Sequence, residues 1–352
     1  MPAIHRSKTK IVLLFLGTLI FYNEFLSYFL QSIFKWPAVS CDGRPECVKI
    51  LLVADPQIIG EQFEPGFPLG TLARWDCDRY LSKTFHHVVS HVNPDVVAFL
   101  GDIMDEGSIA SKEEYIRYSR RFFNIFQTNV LMQYIYLPGD NDIGGEDDDR
   151  LTNDKLKRYD KTFSQAESFR IKSVDIYKVN RLTFSMPRNL TATGGNRTNI
   201  VLTHLPLLFL PNQFVHKVVK QLRPQIIFSA HDHKSLHTSI ETDLKRDEQF
   251  VEMLLPSGGP MWQFQLSKTV IHEIMVPTCS YRMGVADVGY GVALIDNSGS
   301  MTYTVLWLPS RFSQLGAYVG MFLVFILYWS SYTFCCICSH IRKKMTVSKY
   351  IV

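Results

Sequence analysis

The sequence predicts an α/β sandwich of two sheets flanked by helices, with one apolar helix at each end of the chain. Three observations predict it. Short β-branched runs alternate with amphipathic stretches from residue 48 to 222, and more strand-like runs follow from 250 to 307. Five of the hydrophobic runs end in Asp, Asn, Gln or His, and the carboxyl ends of the strands are where an α/β sheet carries its ligand site. The runs 11–34 and 315–337 are long enough, as helices, to cross a hydrocarbon core of about 30 Å.

The first apolar run is interrupted by Asn23 and Glu24. A secretory signal is the competing reading, but the run is long for one and no small-x-small site precedes Cys41, which favours an uncleaved anchor. The second run carries no charge and is followed by Arg342-Lys343-Lys344, which favours a membrane span over a buried core helix. Arg6, Lys8 and Lys10 precede the first run, so both basic clusters lie on outer flanks. The positive-inside rule then gives residues 1–10 and 338–352 as cytosolic and 35–314 as a lumenal domain. Two further features fit an oxidising, glycosylating compartment. Asn189-Leu190-Thr191 and Asn196-Arg197-Thr198 are sequons, and Cys41 and Cys47 are spaced like a small disulfide loop. Cys77 and Cys279 either pair or stay free. A net charge of +4, partly in the end segments, excludes a nucleic-acid footprint.

Between the apolar runs the elements follow in order. Residues 48–53 read as a buried strand ended by Asp55-Pro56, and 75–91 have helical period, broken at Asn93-Pro94 because the residue before proline avoids the helical region. Residues 96–100 form the next strand. Ser111 and Glu114 are placed as a capping box for a helix running to about Gln127. Residues 130–137 read as a strand, and the acidic run 146–149 as a solvated turn. Residues 155–169 read as a helix, 175–186 as two short strands and 215–222 as a helix. Strands at 250–255, 290–295 and 301–307 complete the series. His237 and His272 read as ordinary structural residues. Arg74, Asp76 and Asp78 read either as substrate contacts or as a helix start with no part in the site.

The five polar clusters are Asp55-Pro56-Gln57, Gly101-Asp102-Ile103-Met104-Asp105, Gly139-Asp140-Asn141-Asp142, His204 and His231-Asp232-His233. A dinuclear centre needs a bridging carboxylate, and Asp102 in its Gly-flanked turn is the natural bridge. Asp55 and His233 then complete one ion, and His204 and His231 the other, joined by a donor from Asp140-Asn141. His231 and His233 face one pocket only if the strand has ended in a turn.

The order D-x-Q, G-D-x-x-D, G-D-N-D, strand-His and H-x-H resembles the metallophosphoesterase superfamily over residues 49–257. The apolar ends and Asp142-Ile143-Gly144 resemble its membrane-anchored branch, phosphodiesterases that remove ethanolamine phosphate from the mannose core of GPI anchors. The resemblance implies a two-sheet αββα metallophosphoesterase sandwich and two divalent ions, manganese in that branch. It also implies GPI-anchored proteins as substrate, a setting in the endoplasmic reticulum–Golgi route and contacts with cargo receptors. By position it implies Asp55, Gln57, Asp102 and His233 on one metal, and Asp102, the third-motif residue, His204 and His231 on the other. Asp105 and Asp142 are expected to orient neighbours from behind the ligands.

The departures from the pattern are informative. Gln57 stands where the family has His, a weaker neutral donor, and Ala230 replaces a Gly. Asp140 takes the metal-binding Asn position and Asn141 that of the His that protonates the leaving group. A one-residue shift, with Asn141 on the metal, is the alternative. Asn141 can donate a hydrogen bond to phosphate but cannot deliver a proton, and loss of a general acid costs about 10²–10⁴-fold. The expected reaction is in-line attack on a phosphodiester, with Asp102 and Asn141 as the catalytic residues. A catalytically impaired relative that binds GPI-anchored cargo, or a lumenal phosphatase of other substrates, is the alternative function.

Overall fold

The computed structural model describes residues 2–348 except 45, 147, 188–196, 210 and 246–248. The sequons at Asn189 and Asn196 lie outside the described residues. The chain divides into two compact units, residues 31–308 and a second made of the two ends.

Residues 31–308 form two mixed sheets. The first has six strands: β1 (Val48–Val53), β2 (Val96–Phe99), β3 (Gln133–Tyr136), β10 (Trp262–Gln265), β12 (Gly289–Ile295) and β13 (Ser300–Trp307), in the order β10-β13-β12-β1-β2-β3. The second has seven: β4 (Ser168–Ile171), β5 (Val174–Lys178), β6 (Thr198–Leu202), β7 (Ile226–Ser229), β8 (Leu236–Glu241), β9 (Phe250–Met253) and β11 (Val270–Met275), in the order β4-β5-β6-β7-β11-β8-β9. Alternate residues explain the layering. Ile50, Leu52, Ala98, Ile200, Leu202 and Phe228 point into the core shared by the two sheets. Their neighbours Val201 and Ile227 pack on the other face, in a cluster with Val215, Val218 and Leu222 of a helix. The central parallel strands are thus buried on both faces, which is why they read as continuous apolar runs.

The helices of this unit are α3 (Leu69–Val92), α4 (Lys112–Phe126), the single turn α5 (Asp140–Ile143), α6 (Asn153–Thr162) and α7 (Gln213–Leu222). The capping box of α4 is present: Ser111 accepts from the Glu114 N–H, and the Glu114 carboxylate accepts from the Ser111 N–H at 2.8 Å. Three expectations need correction. Residues 168–171 form edge strand β4 rather than the end of a helix, because α6 stops at Phe163, whose ring packs at 4.7 Å on Tyr159. Residues 174–186 hold one strand and a turn, closed by the Asn180 side chain accepting from the Leu182 N–H. Strands β8, β10 and β11 were not expected at all. Cys41 and Cys47 form a disulfide, whereas Cys77 and Cys279 are free and buried.

In the unit made of the chain ends, α1 (Pro2–Phe21), a π-helical segment (Tyr22–Leu26) and α2 (Ser27–Phe34) run continuously, and α8 (Arg311–Ser348) is the last helix. Lys10–Phe34 and Arg311–Cys338 are long and apolar enough to cross a membrane. Asn23 and Glu24 do not break the first helix. The helix widens there by a π turn, and both side chains find partners: Arg311 donates to Glu24 at 3.0 Å, and the Asn23 amide donates to the Gln314 carbonyl at 3.0 Å.

Candidate metal centre

Strands β1, β2 and β3 run parallel, as do β6 and β7, and each passes its next few residues to the seam between the sheets. Asp55 and Gln57 follow β1, Asp102 follows β2, Asp140 and Asn141 follow β3, His204 follows β6, and His231 and His233 follow β7. All eight converge. Asp140, His204 and His231 present ligand atoms within 4.8 Å of one another, and so do Asp55, Asp102 and His204.

The backbone bends sharply to achieve this. Asp55, Gln57, Asp102, His231 and His233 all hold positive φ, between 38° and 78°. Non-glycine residues rarely sit there, and such strain gathers at functional sites. The turn expected at the paired histidines is therefore present. Two glycines permit the close approach. A Cβ on Gly139 would lie 2.1 Å from the Asp102 Oδ1, and one on Gly101 2.5 Å from the His204 Nδ1.

Asp102 is the hub. Its Oδ1 accepts from the Asn141 N–H at 3.0 Å and lies 3.4 Å from the His204 Nε2. Its Oδ2 accepts from the Asn141 side-chain amide at 3.0 Å and from the Gln57 amide at 3.1 Å. Gln57 also touches the His233 Nε2 at 3.3 Å, so its NH2 end, rather than its oxygen, faces the centre; a ligand role requires the amide to turn over. The third motif takes the register in which Asp140 enters the ligand cluster. The Asp140 Oδ1 lies 2.9 Å from the His204 Nε2 and 3.2 Å from the His231 Nδ1, while Asn141 turns to Asp102. His204 is oriented by its other nitrogen: Nδ1–H donates to the Leu100 carbonyl at 2.9 Å, which aims Nε2 at the carboxylates.

Behind the ligands, Asp142 accepts from the Gly139, Ile103 and Met104 N–H groups and ties the second motif to the third. The orienting part expected of Asp105 is different. It joins this set through its backbone N–H, donated to the Ile58 carbonyl, and the carboxylate beside it, Glu106, does the positioning instead. Glu106 accepts from the N–H groups of Glu61, Gln62 and Phe63 and from the Tyr118 hydroxyl, and so holds the segment after Gln57. Sequence reading missed Glu106, although an acid adjoining a metal-motif turn was the available signal. Glu146, taken as part of a solvated turn, reaches 3.6 Å from the His231 Nε2. Asp76 and Asp78 serve the scaffold, accepting from the Tyr281 hydroxyl and from Arg121 respectively. His237 and His272 pair with each other at 3.0 Å on β8 and β11.

The charge balance tests whether these residues fit metal ions. Asp55 is fully buried, and its Oδ2 has no hydrogen-bond partner. A buried carboxylate oxygen without a partner is rare in a folded protein and calls for a cation. Burial pushes Asp55 up to about 8 and raises Asp102 as well. For His204, burial opposes the charge, but Asp102 and a hydrogen bond to Asp140 outweigh it and push the imidazole up to about 10. Burial likewise opposes ionisation of Asp140, yet the hydrogen bonds from His204 and His231 hold it well below the usual carboxylate range. Without metal, the cluster keeps extra protons to offset its own negative charge. Oxygen and imidazole donors in this number suit divalent ions, which would take the place of those protons.

The sign of the pH dependence follows. Protons compete with metal at Asp55 below about 8 and at His204 below about 10, so metal affinity is expected to rise with pH through that range. Calorimetric titration of Mn²⁺ into metal-stripped protein, in buffers of different ionisation enthalpy at pH 7, should show net proton release. Release of no proton would contradict this account.

Buried carboxylates and imidazoles at the seam of two sheets, in two ligand groups that share His204 and with Asp102 3.4 Å from its Nε2, define a metal-dependent hydrolase. Residues 48–235 match the family model described as calcineurin-like phosphoesterase, and the chain belongs to that family. It is 25% identical over 321 residues to "Cell division control protein 1" of Saccharomyces cerevisiae, covering 82% of this chain and 64% of that protein. It is 31% identical over 183 residues to "Metallophosphoesterase 1" of Ailuropoda melanoleuca, covering 49% of this chain and 44% of that protein. The match thus spans less than two thirds of either relative. Among solved structures it is similar to a metallophosphoesterase from Sphaerobacter thermophilus, 13% identical with a TM-score of 0.40, covering 76% of this chain and 90% of that one.

Proposed function

We propose that the chain is a membrane-anchored phosphodiesterase that removes ethanolamine phosphate from the GPI-anchor glycan in the endoplasmic reticulum–Golgi route. The observation that carries the hydrolytic reading is Asp102, whose two oxygens meet donors from both sheets within a buried ligand set. The GPI assignment rests on resemblance to the membrane-anchored branch, and on two helices apolar enough to span a bilayer. The Cys41–Cys47 disulfide favours a lumenal domain, with both termini cytosolic. Manganese is the proposed metal, and GPI-anchored proteins are the proposed substrates, delivered with the help of cargo receptors.

When bound, two divalent ions supply Lewis acidity at the phosphoryl group and lower the acidity barrier of water. The protein does the rest. Asp55, Asp140, His204, His231 and His233 set the geometry, and the Leu100 carbonyl fixes the ligating face of His204. Asn141, held at the rim by its backbone N–H and one amide N–H to Asp102, has its second amide N–H for a phosphate oxygen but transfers no proton. The leaving oxygen then takes its proton from solvent or from the neighbouring ammonium of an ethanolamine group.

The full chain, purified in detergent, is expected to hydrolyse bis-p-nitrophenyl phosphate with Mn²⁺ and to lose that activity to EDTA. Bound metal without turnover would replace the enzyme by a binder of GPI-anchored cargo, a reading that the missing acid at Asn141 motivates. Mass analysis of GPI glycans from null cells should show retained ethanolamine phosphate. Unchanged content rejects the substrate and leaves a phosphatase of another lumenal ester.

A further inference from the structure

Most of α3 behaves as an amphipathic helix should. Cys77, Tyr80, Leu81, Phe85 and Val88 are buried. Its first two turns do the opposite. Leu69, Leu72 and Trp75 recur at three-residue steps and are 65%, 59% and 57% exposed, and the segment before them adds Phe63 at 74% and Phe67 at 89%. One exposed apolar side chain is ordinary, but five large ones within a short segment form a patch that signals a binding surface.

The patch is firmly based. Glu106 takes the N–H groups of Glu61, Gln62 and Phe63, the Gly66 carbonyl accepts from the Gly70 N–H, and the Pro68 carbonyl accepts from the Leu72 N–H. The turn that carries Asp102 therefore also carries the root of the patch. Its charges are arranged for an anionic surface. Glu61 is engaged by Arg117 at 2.7 Å and Glu64 by Arg282, while Arg79 lies over the Trp75 ring at 5.2 Å and Arg74 stands beside it. Exposed Phe, Leu and Trp edged by Arg are what an interfacial membrane element uses: rings and aliphatic chains enter the acyl boundary, and guanidinium groups stay with phosphate.

We infer that the Phe63–Trp75 segment dips into the lipid surface of the bilayer that anchors the chain, bringing the edge of the metal centre to lipid-borne phosphodiesters. This rests on the membrane reading of the two apolar helices and not on the identity of the substrate. A bilayer is favoured over a protein partner because the chain's own apolar ends keep lipid within reach, and because the local carboxylates are already paired.

The test uses the full chain in phosphatidylcholine–phosphatidylserine nanodiscs, with Cys335, Cys336 and Cys338 replaced by serine and a nitroxide attached at Phe67→Cys or Leu72→Cys. The ratio of oxygen to nickel-chelate accessibility is expected to be several-fold higher than at a Leu131→Cys control, a position that is 100% exposed. A ratio equal to the control overturns the inference, and so does shielding accompanied by label–label dipolar coupling, which would mean a second copy covers the patch. The double variant Leu72→Asp/Trp75→Asp supplies an independent reading. Turnover of a bilayer-embedded phosphodiester should fall several-fold while that of bis-p-nitrophenyl phosphate stays unchanged; a parallel fall in both rates counts against lipid contact. Should neither substrate be hydrolysed by the unaltered chain, the enzymatic reading fails while the accessibility ratios still decide the inference.

Discussion

Asp102→Ala is expected to lower phosphodiester turnover by about 10³-fold or more, the equivalent of about 4 kcal/mol of transition-state stabilisation, because Asp102 belongs to one ligand group and lies 3.4 Å from His204, which both groups share. Steady-state kinetics with saturating Mn²⁺ checks this, and retention of activity within about tenfold would remove Asp102 from the centre of the mechanism. Asp102→Asn carries a second, opposite expectation for the metal-free fold. Burial raises the Asp102 carboxyl, so at neutral pH, above its unfolded pKa, this ionisable group costs the folded state stability. Removing that ionisable group should raise the melting temperature of the chelated protein. The replacement amide need not face donors on its nitrogen side, since the Gln57 and Asn141 amides that meet Oδ2 can both turn over to present oxygen. A lower melting temperature for chelated Asp102→Asn would show that metal-free Asp102 is not an electrostatic burden.

Asn141→His is expected to raise turnover of alkyl phosphodiesters by about 10²-fold while changing aryl phosphodiesters little. An alkoxide leaves poorly and needs a proton, whereas a nitrophenolate leaves without one. The position can accept the change. Its backbone is held by the N–H bond to the Asp102 Oδ1, and its side chain is only half-buried at the rim. Comparing kcat for the two substrate classes in wild type and variant tests the idea. An equal change in both classes, or none, would mean that proton delivery does not limit this site.

Much of the site was legible because metal ligation demands particular side chains at strand ends, and strands announce themselves by apolar runs. Asp55, Asp102, Asp140, His204, His231 and His233 were all singled out this way; the first five form two ligand groups that share His204, and His233 meets Gln57 at 3.3 Å. The register at Asp140-Asn141 was readable because Gly139 and Asp142-Ile143-Gly144 bracket it. What escaped was the support. Glu106 reaches backbone N–H groups more than forty residues earlier in the chain, and those leave no trace in side-chain pattern. The Leu100 carbonyl that orients His204 is invisible for the same reason. Strands β8 and β11 escaped because Thr, Ser, His and Glu interrupt their apolar pattern, and β10 because its alternation is only four residues long, while long-range pairing, such as β11 between β7 and β8, supplies what local propensity lacks.

By itself the sequence determined the candidate donors of a metal centre, their order along the chain and the two apolar ends, since each depends on residue type and local period. Only the tertiary structure decided that Gln57 turns its NH2 toward Asp102, that Glu106 holds the segment after it, and that Phe63, Phe67, Leu69, Leu72 and Trp75 stand exposed. Those outcomes depend on which backbone groups are left unpaired at the seam and which faces the core leaves uncovered. Both are properties of packing between segments far apart in the chain, and no local pattern encodes them.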